Sequence, residues 1–217
     1  MIAITFALPA ESSGLVRLLR DNREVAIVHT GVGAKMCRRK IDNYLREAKP
    51  RLMLSSGFAG GVSENLEPGD LFLAENYSDA DLLASAKALL GNRARVGKLF
   101  SAASIVDSIA ERNEIARTQG TAAVDMETES IAQACAAHAI PLLSLRVITD
   151  TITHPLPAPQ RVLFDLDRQR TDGARLAFHL LTHPHLIPRL IRFSRTIANA
   201  REVLTDAIVF LLPALPN

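Results

Sequence analysis

The segment 124–130 concentrates carboxylates in a way that could serve acid–base chemistry. Asp125, Glu127 and Glu129 lie close together there, with Met126 among them, and a further carboxylate, Asp150, ends a strongly apolar run. Such groups can donate and accept protons when their surroundings separate their pKa values. The same residues also suit structural roles. Asp125 could cap a helix, the two glutamates could favour its positive end, and Asp150 could belong to a turn.

The segment 55–61 is rich in small residues, with the sequence Ser-Ser-Gly-Phe-Ala-Gly-Gly. Small residues let a ligand approach the backbone and leave N–H groups pointing at it. The glycines do not follow the GxGxxG order and no GK[ST] comes after them, which argues against dinucleotide-binding and P-loop sites. A plain glycine-rich turn is the structural alternative.

Short apolar runs alternate with amphipathic segments along the chain. We interpret as strands the runs 2–8, 25–30, 52–55, 71–74, 97–101 and 142–149. Helical periodicity is present in the segments 35–48, 80–90, 105–117 and 127–139. Because the strands are continuously apolar rather than alternating, helices should cover both faces of the sheet. The sequence predicts an α/β fold, a three-layer α/β/α sandwich with a mixed, mainly parallel central sheet.

In such a sheet, ligands bind at the carboxyl ends of the strands. The segments placed there by the predicted strands are 9–11, 31–33, 55–61, 125–127 and 149–151. Several of them are polar or rich in glycine. We therefore expect the functional site to be assembled from these segments.

Composition restricts the class of protein further. A length of 217 residues, with 48% hydrophobic and 22% charged residues, fits one globular domain over 1–217. A net charge of +2, 5% aromatic residues and no Trp do not suit a nucleic-acid binder. Cys37 and Cys135 lack metal-ligand spacing, so we predict buried thiols and no metal. With no run of about 18 apolar residues and no basic region before the first apolar run, we expect a cytoplasmic protein.

The glycine-rich and carboxylate segments together resemble the nucleoside phosphorylase/nucleosidase superfamily. The match extends over residues 1 to about 151 and is poor in the rest of the chain. Its elements are 57–61 with 68–70, similar to G-x-A-G-G … G-D; 124–127, similar to V-E-M-E; 146–150, similar to R-x-I-S-D; and 7–11 and 30–33, similar to the first loops of the methylthioadenosine/adenosylhomocysteine nucleosidase branch.

The resemblance implies an enzyme that cleaves the N-glycosidic bond of a purine nucleoside without a metal or an organic cofactor. Asp150 matches the family's general acid at N7 of the base, a role that requires burial to raise its pKa. Glu127 matches the carboxylate that holds the ribose hydroxyls, and Met126 the thioether that packs against the sugar. Glu11 matches the glutamate that activates the attacking water.

Further substrate contacts follow from the same resemblance. Ile105 and Val106 occupy the adenine-facing position. The family also implies that the protein forms a homo-oligomer, either a dimer or a hexamer. Its expected ligand is a small-molecule purine nucleoside. The complete set of these further contacts is Asp125, Gly57, Phe58, Ala59, Ile105, Val106, Arg146, Thr149, Gly31 and Gly33.

Hydrolysis is favoured over phosphorolysis by the charges near the first strand. Phosphorylases resemble one another in placing arginines around a phosphate, yet 7–11 and 55–61 contain none. The alternatives are a purine nucleoside phosphorylase, a futalosine-type hydrolase, or a non-catalytic nucleoside-binding protein. The presence of Glu11, Glu127 and Asp150 together argues against the last.

The C-terminal segment 173–217 is basic, apolar and predicted to be helical. It carries no acidic residue between 173 and 201, and a second apolar run covers 207–212. This pattern predicts either two packing helices with a solvated basic face or an interfacial membrane helix within 173–212. The segment resembles the tail of hopanoid-associated nucleosidases, which remove adenine from an adenosylated triterpenoid. Its arginines up to 201 are Arg175, Arg189, Arg192, Arg195 and Arg201.

Two contractions relative to the family fit such a substrate. Only residues 21–24 separate the first helix from the second strand, and the stretch 75–96 is short. In the nucleosidase branch the second region helps to enclose the 5′ substituent. Its contraction predicts a wider or more exposed 5′ pocket.

Overall fold

The computed structural model describes residues 1–165, 169 and 173–216. Its strands are β1 (Ile2–Phe6), β2 (Val25–His29), β3 (Leu52–Gly61), β4 (Leu71–Ala74), β5 (Ala94–Gly97), β6 (Leu99–Ser101), β7 (Ala123–Asp125) and β8 (Leu142–Asp150). Its helices are α1 (Pro9–Leu18), α2 (Ala34–Glu47), α3 (Ala80–Leu90), α4 (Ile109–Gln119), α5 (Thr128–Ala137), α6 (Gln160–Leu163), α7 (Gly173–Thr182) and α8 (Ile187–Leu211).

One mixed sheet holds the eight described strands. The main order is β2-β1-β3-β8-β4-β5, in which every pair is parallel except β8 with β4. β7 pairs antiparallel with the end of β3 and parallel with β6. All residues of β1 and β8 are buried, as expected for strands covered on both faces. The predicted mixed, mainly parallel sheet is confirmed.

Helices cover the sheet on both sides, which gives the predicted three layers. On one side α1, α3 and α8 contribute Leu15, Leu82 and Ile208 to a core shared with β1, β3, β4 and β8. On the other side α2 and α5 pack Ile41 and Ile131 against the sheet. Cys37 and Cys135 lie in this second core as free, buried thiols, and no metal-binding cluster occurs among the described residues.

β3 is longer than the sequence analysis predicted. The segment 55–61 is not a turn, because β3 continues through it to Gly61 and pairs with β8 almost to its end. The register shifts between Ala59 and Gly60, so an irregularity in the strand falls beside the expected site. The small residues stay in the ladder because backbone pairing with β8 supplies their hydrogen bonds.

Two other boundaries were wrong. The run 97–101 is not one strand, because it contains the last residue of β5 and then the whole of β6. The helix expected from residue 105 begins only at Ile109, because the Ser108 side chain accepts a hydrogen bond from the Glu111 N–H and caps it there. Ile105 and Val106 therefore lie on the loop before α4.

The C-terminal segment is helical, and the burial of α8 changes along its length. The second half of α8 is buried in the core through Ala200, Leu204 and Leu211, whereas the stretch 187–195 is largely exposed. No described helix is long and apolar enough to cross a membrane. Asn217 and the side chain of Arg175 lie outside the described residues.

Candidate active site

A cavity of about 300 Å³ lies at the carboxyl ends of β1, β3, β7 and β8. This is the position that a mainly parallel sheet favours for a ligand, and the volume is within the range of small-molecule sites. Its wall contains the predicted residues Glu11, Phe58, Ala59, Ile105, Val106, Asp125, Met126, Glu127, Thr149 and Asp150.

Glu11 lies in the first turn of α1, with its side chain turned back toward the end of β1. Its Oε2 accepts hydrogen bonds from the backbone N–H groups of Ala7 (3.0 Å) and Leu8 (3.4 Å). Burial raises the pKa of the carboxyl to about 7, although these hydrogen bonds and Arg146 act in the opposite direction. Gly57 leaves room for it, because a Cβ at this position, where φ is +144°, would lie 3.1 Å from Oε2.

Glu127 lies directly before α5 and faces the second loop of the chain. Its Oε1 accepts a hydrogen bond from the Gly33 N–H at 2.7 Å. Burial raises the pKa of Glu127, and the neighbouring charge of Asp125 raises it further. Glu11 and Glu127 are thus two buried carboxyls that hold protons more tightly than ordinary glutamates.

Asp150 ends β8 and forms a buried ion pair with Arg112 of α4. Arg112 also donates to the carbonyl oxygens of Gly61 and Val106, each at 3.2 Å. Thr149 Oγ1 donates to Asp150 Oδ1 at 2.9 Å. Asp150 is buried, as the sequence analysis expected, but its ion pair with Arg112 was not predicted.

Arg146 and Asp125 form a second buried ion pair behind the cavity wall. Arg146 Nε and Nη2 donate to Asp125 Oδ2 at 3.0 and 2.9 Å, and Nη2 also donates to Ser55 Oγ at 2.7 Å. Asp125 accepts hydrogen bonds from Thr128 as well, which joins it to the start of α5. Asp125 thus reaches the main cavity, whereas Arg146 does not line it.

A smaller polar cavity adjoins the main one and has room for about one water molecule. Glu11 and Glu127 line both cavities. Arg146 and Gly57 line only the smaller one, together with the hydroxyl-bearing residues Thr5, Thr30 and Ser56. Ser56 Oγ is buried without a hydrogen-bond partner in the described structure. The two glutamates therefore separate a ligand-sized space from a polar, water-sized one.

Gly31 and Gly33 shape the second loop but line neither cavity. Gly33 has φ +91° and contributes its backbone N–H to Glu127. Gly31 has φ +77°, and a Cβ there would lie 2.5 Å from the Met36 side chain. Both glycines therefore shape the loop beside the cavities, and their roles as substrate contacts stay predictions.

A match to the sequence model of a protein family identifies the family of this chain. The model for the phosphorylase superfamily matches residues 12–87 and 74–182, which together span most of the chain. The chain belongs to the phosphorylase superfamily. The predicted family is thereby confirmed.

Individual proteins that resemble this member of the phosphorylase superfamily are nucleosidases and a related hydrolase. The 5′-methylthioadenosine/S-adenosylhomocysteine nucleosidase of Staphylococcus aureus (strain bovine RF122 / ET3-1) is 28% identical over 162 residues, which cover 61% of this chain and 71% of that protein. The Campylobacter jejuni 5′-methylthioadenosine/S-adenosylhomocysteine nucleosidase structure has a TM-score of 0.74 at 16% identity and 99% coverage of both chains. Helicobacter pylori futalosine hydrolase has a TM-score of 0.73 at 15% identity, covering 99% of this chain and 97% of that one. The two structures share the fold of this chain.

The sequence analysis missed part of the cavity wall of this phosphorylase-superfamily protein. Arg112 lies in a segment that was predicted only to be helical, and it was given no functional role. A lone arginine that faces a core gives no clear signal in a single sequence. One end of the cavity is apolar and comes from the region where the family motifs match poorly. Its side chains are Leu156, Leu163, Phe164, Phe193 and Ile197.

The buried Glu11 predicts a dependence of stability on pH. Because its folded pKa is about 7 and its ordinary value 4.5, the folded state binds the proton more tightly between these values. The free energy of unfolding should therefore fall as pH rises from about 4.5 through 7. We expect Glu11→Gln, which cannot ionise, to be more stable than the parent by about 2 to 3 kcal/mol at pH 8 and nearly equal to it at pH 5.

Urea unfolding of both proteins at the two pH values measures this difference. The exposed Glu64 provides a matched control, since Glu64→Gln removes a carboxylate without changing a buried site. An equal gain in stability from both substitutions at pH 8 would assign the effect to net charge rather than to burial of Glu11.

Proposed function

We propose that this protein is a nucleosidase that hydrolyses the N-glycosidic bond of a purine nucleoside and releases the free base. One observation carries the proposal: Glu11 and Glu127 stand between a nucleoside-sized cavity and a polar space for one water, with Asp150 on the wall of the larger cavity. The relatives named as nucleosidases support the same reaction class.

The proposed reaction distributes its charges over these three carboxyl groups. The water oxygen attacks C1′ and its proton passes to Glu11, while the electron pair of the C1′–N9 bond goes to the purine. The sugar gains oxocarbenium character, for which Glu127 supplies compensating negative charge and Met126 a polarisable contact. Asp150 in its protonated form gives its proton to N7 of the departing base, and solvent supplies the next proton to the carboxylate that remains. No step requires a metal or an organic cofactor.

The arginines of the site favour water over phosphate as the nucleophile. Arg112 is paired with Asp150, and Arg146 with Asp125, so both guanidinium groups near the cavities are already neutralised. Three further cations lie close in sequence to the first two loops, and all three are exposed and line neither cavity: Arg17, Arg20 and Lys35. Among the described residues that line these two cavities, a phosphate dianion would thus find no unpaired cation to hold it.

The apolar end of the cavity indicates what kind of 5′ substituent the substrate carries. Leucine, isoleucine and phenylalanine side chains from the loop after β8, α6 and α8 provide a surface suited to an apolar group. We infer a 5′-modified, adenosine-type substrate whose 5′ group is large and apolar, as in adenosylhopane. Peripheral contact of 173–212 with a membrane and assembly into a homo-oligomer belong to the same proposal.

Base release tests the proposed reaction. Adenosine, methylthioadenosine and inosine are incubated with the protein, with and without phosphate, and the base and the sugar are identified by chromatography. We expect adenine and a free reducing sugar from the adenosine-type substrates, at a rate that phosphate does not raise. Ribose 1-phosphate as the sugar product, with a rate that rises with phosphate, would replace hydrolysis by phosphorolysis.

A further inference from the structure

A second cavity of about 270 Å³ lies beside the nucleoside cavity, between the loop after β8 and the first half of α8. The two cavities share Thr149, Leu156 and Phe193 as a common wall. The proposed reaction makes no use of the second cavity, so its chemistry calls for a separate explanation.

The second cavity is electropositive. Arg189 and Arg192 line it from α8, with His154 from the loop after β8, and no carboxylate appears among the described residues that line it. Neither arginine forms an ion pair in the described part of the chain, in contrast to the arginines of the nucleoside site. His154 Nδ1 lies 3.3 Å from Glu67 Oε2 in an exposed contact. Two unpaired guanidinium groups in one concave space favour a phosphate-type anion.

The rest of the lining consists of three threonines, Thr149, Thr153 and Thr196, and a set of apolar side chains, and the apolar set narrows the class of ligand. A bare phosphate ion would be hydrated and would gain nothing from apolar walls, whereas an amphiphile with an anionic head would bury apolar atoms there. The side chains concerned are those of Pro68, Pro155, Leu156, Pro157 and Phe193.

Both helices of the C-terminal segment, α7 and α8, also expose large apolar side chains. Ile187 and Ile191 of α8 are 42% and 50% exposed, and Phe178 and Leu181 of α7 are 70% and 80% exposed. Large apolar side chains beside unpaired arginines are the combination by which an interfacial helix binds an anionic bilayer. The helix that carries the two cavity arginines, α8, therefore also exposes apolar side chains to the solvent.

We propose that the second cavity binds the phosphate headgroup of an anionic membrane lipid, with Arg189 and Arg192 as the anion-binding side chains. Such a lipid would hold the shared wall of the two cavities at the bilayer surface. The site does not depend on the nucleosidase reaction, because its lining contains none of the carboxyl groups assigned to that reaction.

The test compares soluble short-chain lipids with inorganic phosphate. Calorimetric titrations use the full chain with dihexanoylphosphatidylglycerol, dihexanoylphosphatidylcholine and inorganic phosphate, below the micellar concentration of each lipid. The variants are Arg189→Gln/Arg192→Gln and the matched control Arg195→Gln, which removes an exposed arginine of α8 that does not line the cavity. Co-sedimentation with vesicles containing phosphatidylglycerol repeats the comparison at a bilayer.

We expect the anionic lipid to bind at least tenfold more tightly than the zwitterionic lipid or phosphate. The double variant should bind it about 30-fold more weakly, at about fivefold for each basic residue, while Arg195→Gln changes little. Release of base from methylthioadenosine should be the same in all three proteins, which separates this site from the proposed reaction. A loss of about fivefold on vesicles from Arg195→Gln, the loss expected for one basic residue of the cavity, would overturn the proposal in favour of a diffuse basic face. Equal affinity for phosphate and lipid, or no binding by folded protein, would also overturn it.

Discussion

Replacing Asp150 with Asn is expected to slow base release by about 10² to 10⁴ fold while substrate affinity stays within about tenfold. The amide of the substituted side chain can still donate a hydrogen bond to a ring nitrogen, so binding of the base should survive. It cannot transfer a proton, however, and the departing purine would then leave as an unstabilised anion. Single-turnover release of base, measured at saturating substrate, reports this loss directly.

The ion pair with Arg112 determines the control for this experiment. In the Asp150→Asn variant the buried guanidinium loses its counter-charge, and breaking a buried pair in this way costs about 3 to 5 kcal/mol of stability. The double variant Asp150→Asn/Arg112→Met removes both charges and should recover much of that stability. If Asp150 is the acid, the double variant remains inactive although it is well folded. Recovery of near-normal turnover would show that the single variant failed through its fold.

Much of the site could be predicted because its parts lie at strand ends. Glu11 and Asp150 are 139 positions apart in the chain, yet each follows a buried apolar run that stands out in the sequence. Parallel strands bring their carboxyl ends to one edge, so these two residues had to converge once the runs were identified as strands. Glu127 instead follows the three-residue β7, which pairs antiparallel with β3. The family motifs then assigned roles to residues whose structural alternatives were equally plausible in isolation.

Other parts of the site could not be predicted from one sequence. Arg112 looks like any charged residue of an amphipathic helix, and only tertiary packing turns it toward Asp150. The strand character of 55–61 depends on pairing with β8, since small residues have little intrinsic preference for a sheet. The apolar end of the cavity depends on how α8 crosses the site, and no local pattern encodes that geometry.

Replacing Glu11 with Gln is expected to reduce turnover by more than about 10³ fold, because the change removes the base that takes the proton from water. The Gln carbonyl oxygen can still accept the hydrogen bond from the Ala7 N–H, so the end of β1 and the cavity should keep their shape. Burial raises the pKa of Glu11 to about 7 and that of Glu127 to about 8, and the proposed reaction uses both groups as carboxylates. Turnover of the parent protein should therefore rise with pH through about 7 to 8, and the variant should lose the part of this rise that belongs to Glu11 together with its activity.

The same substitution connects catalysis with stability and so gives a strict test. Above pH 7 the ionised Glu11 costs folding free energy, and this is the form the proposed reaction requires. The variant should therefore be more stable at pH 8 and nearly inactive there, a combination that damage to the fold cannot produce. Glu129→Gln, an exposed change in the neighbouring carboxylate segment, is the matched control and should alter neither property. A stable Glu11→Gln protein that retains turnover within tenfold, with the acidic limb of its pH profile unchanged, would exclude Glu11 as the base.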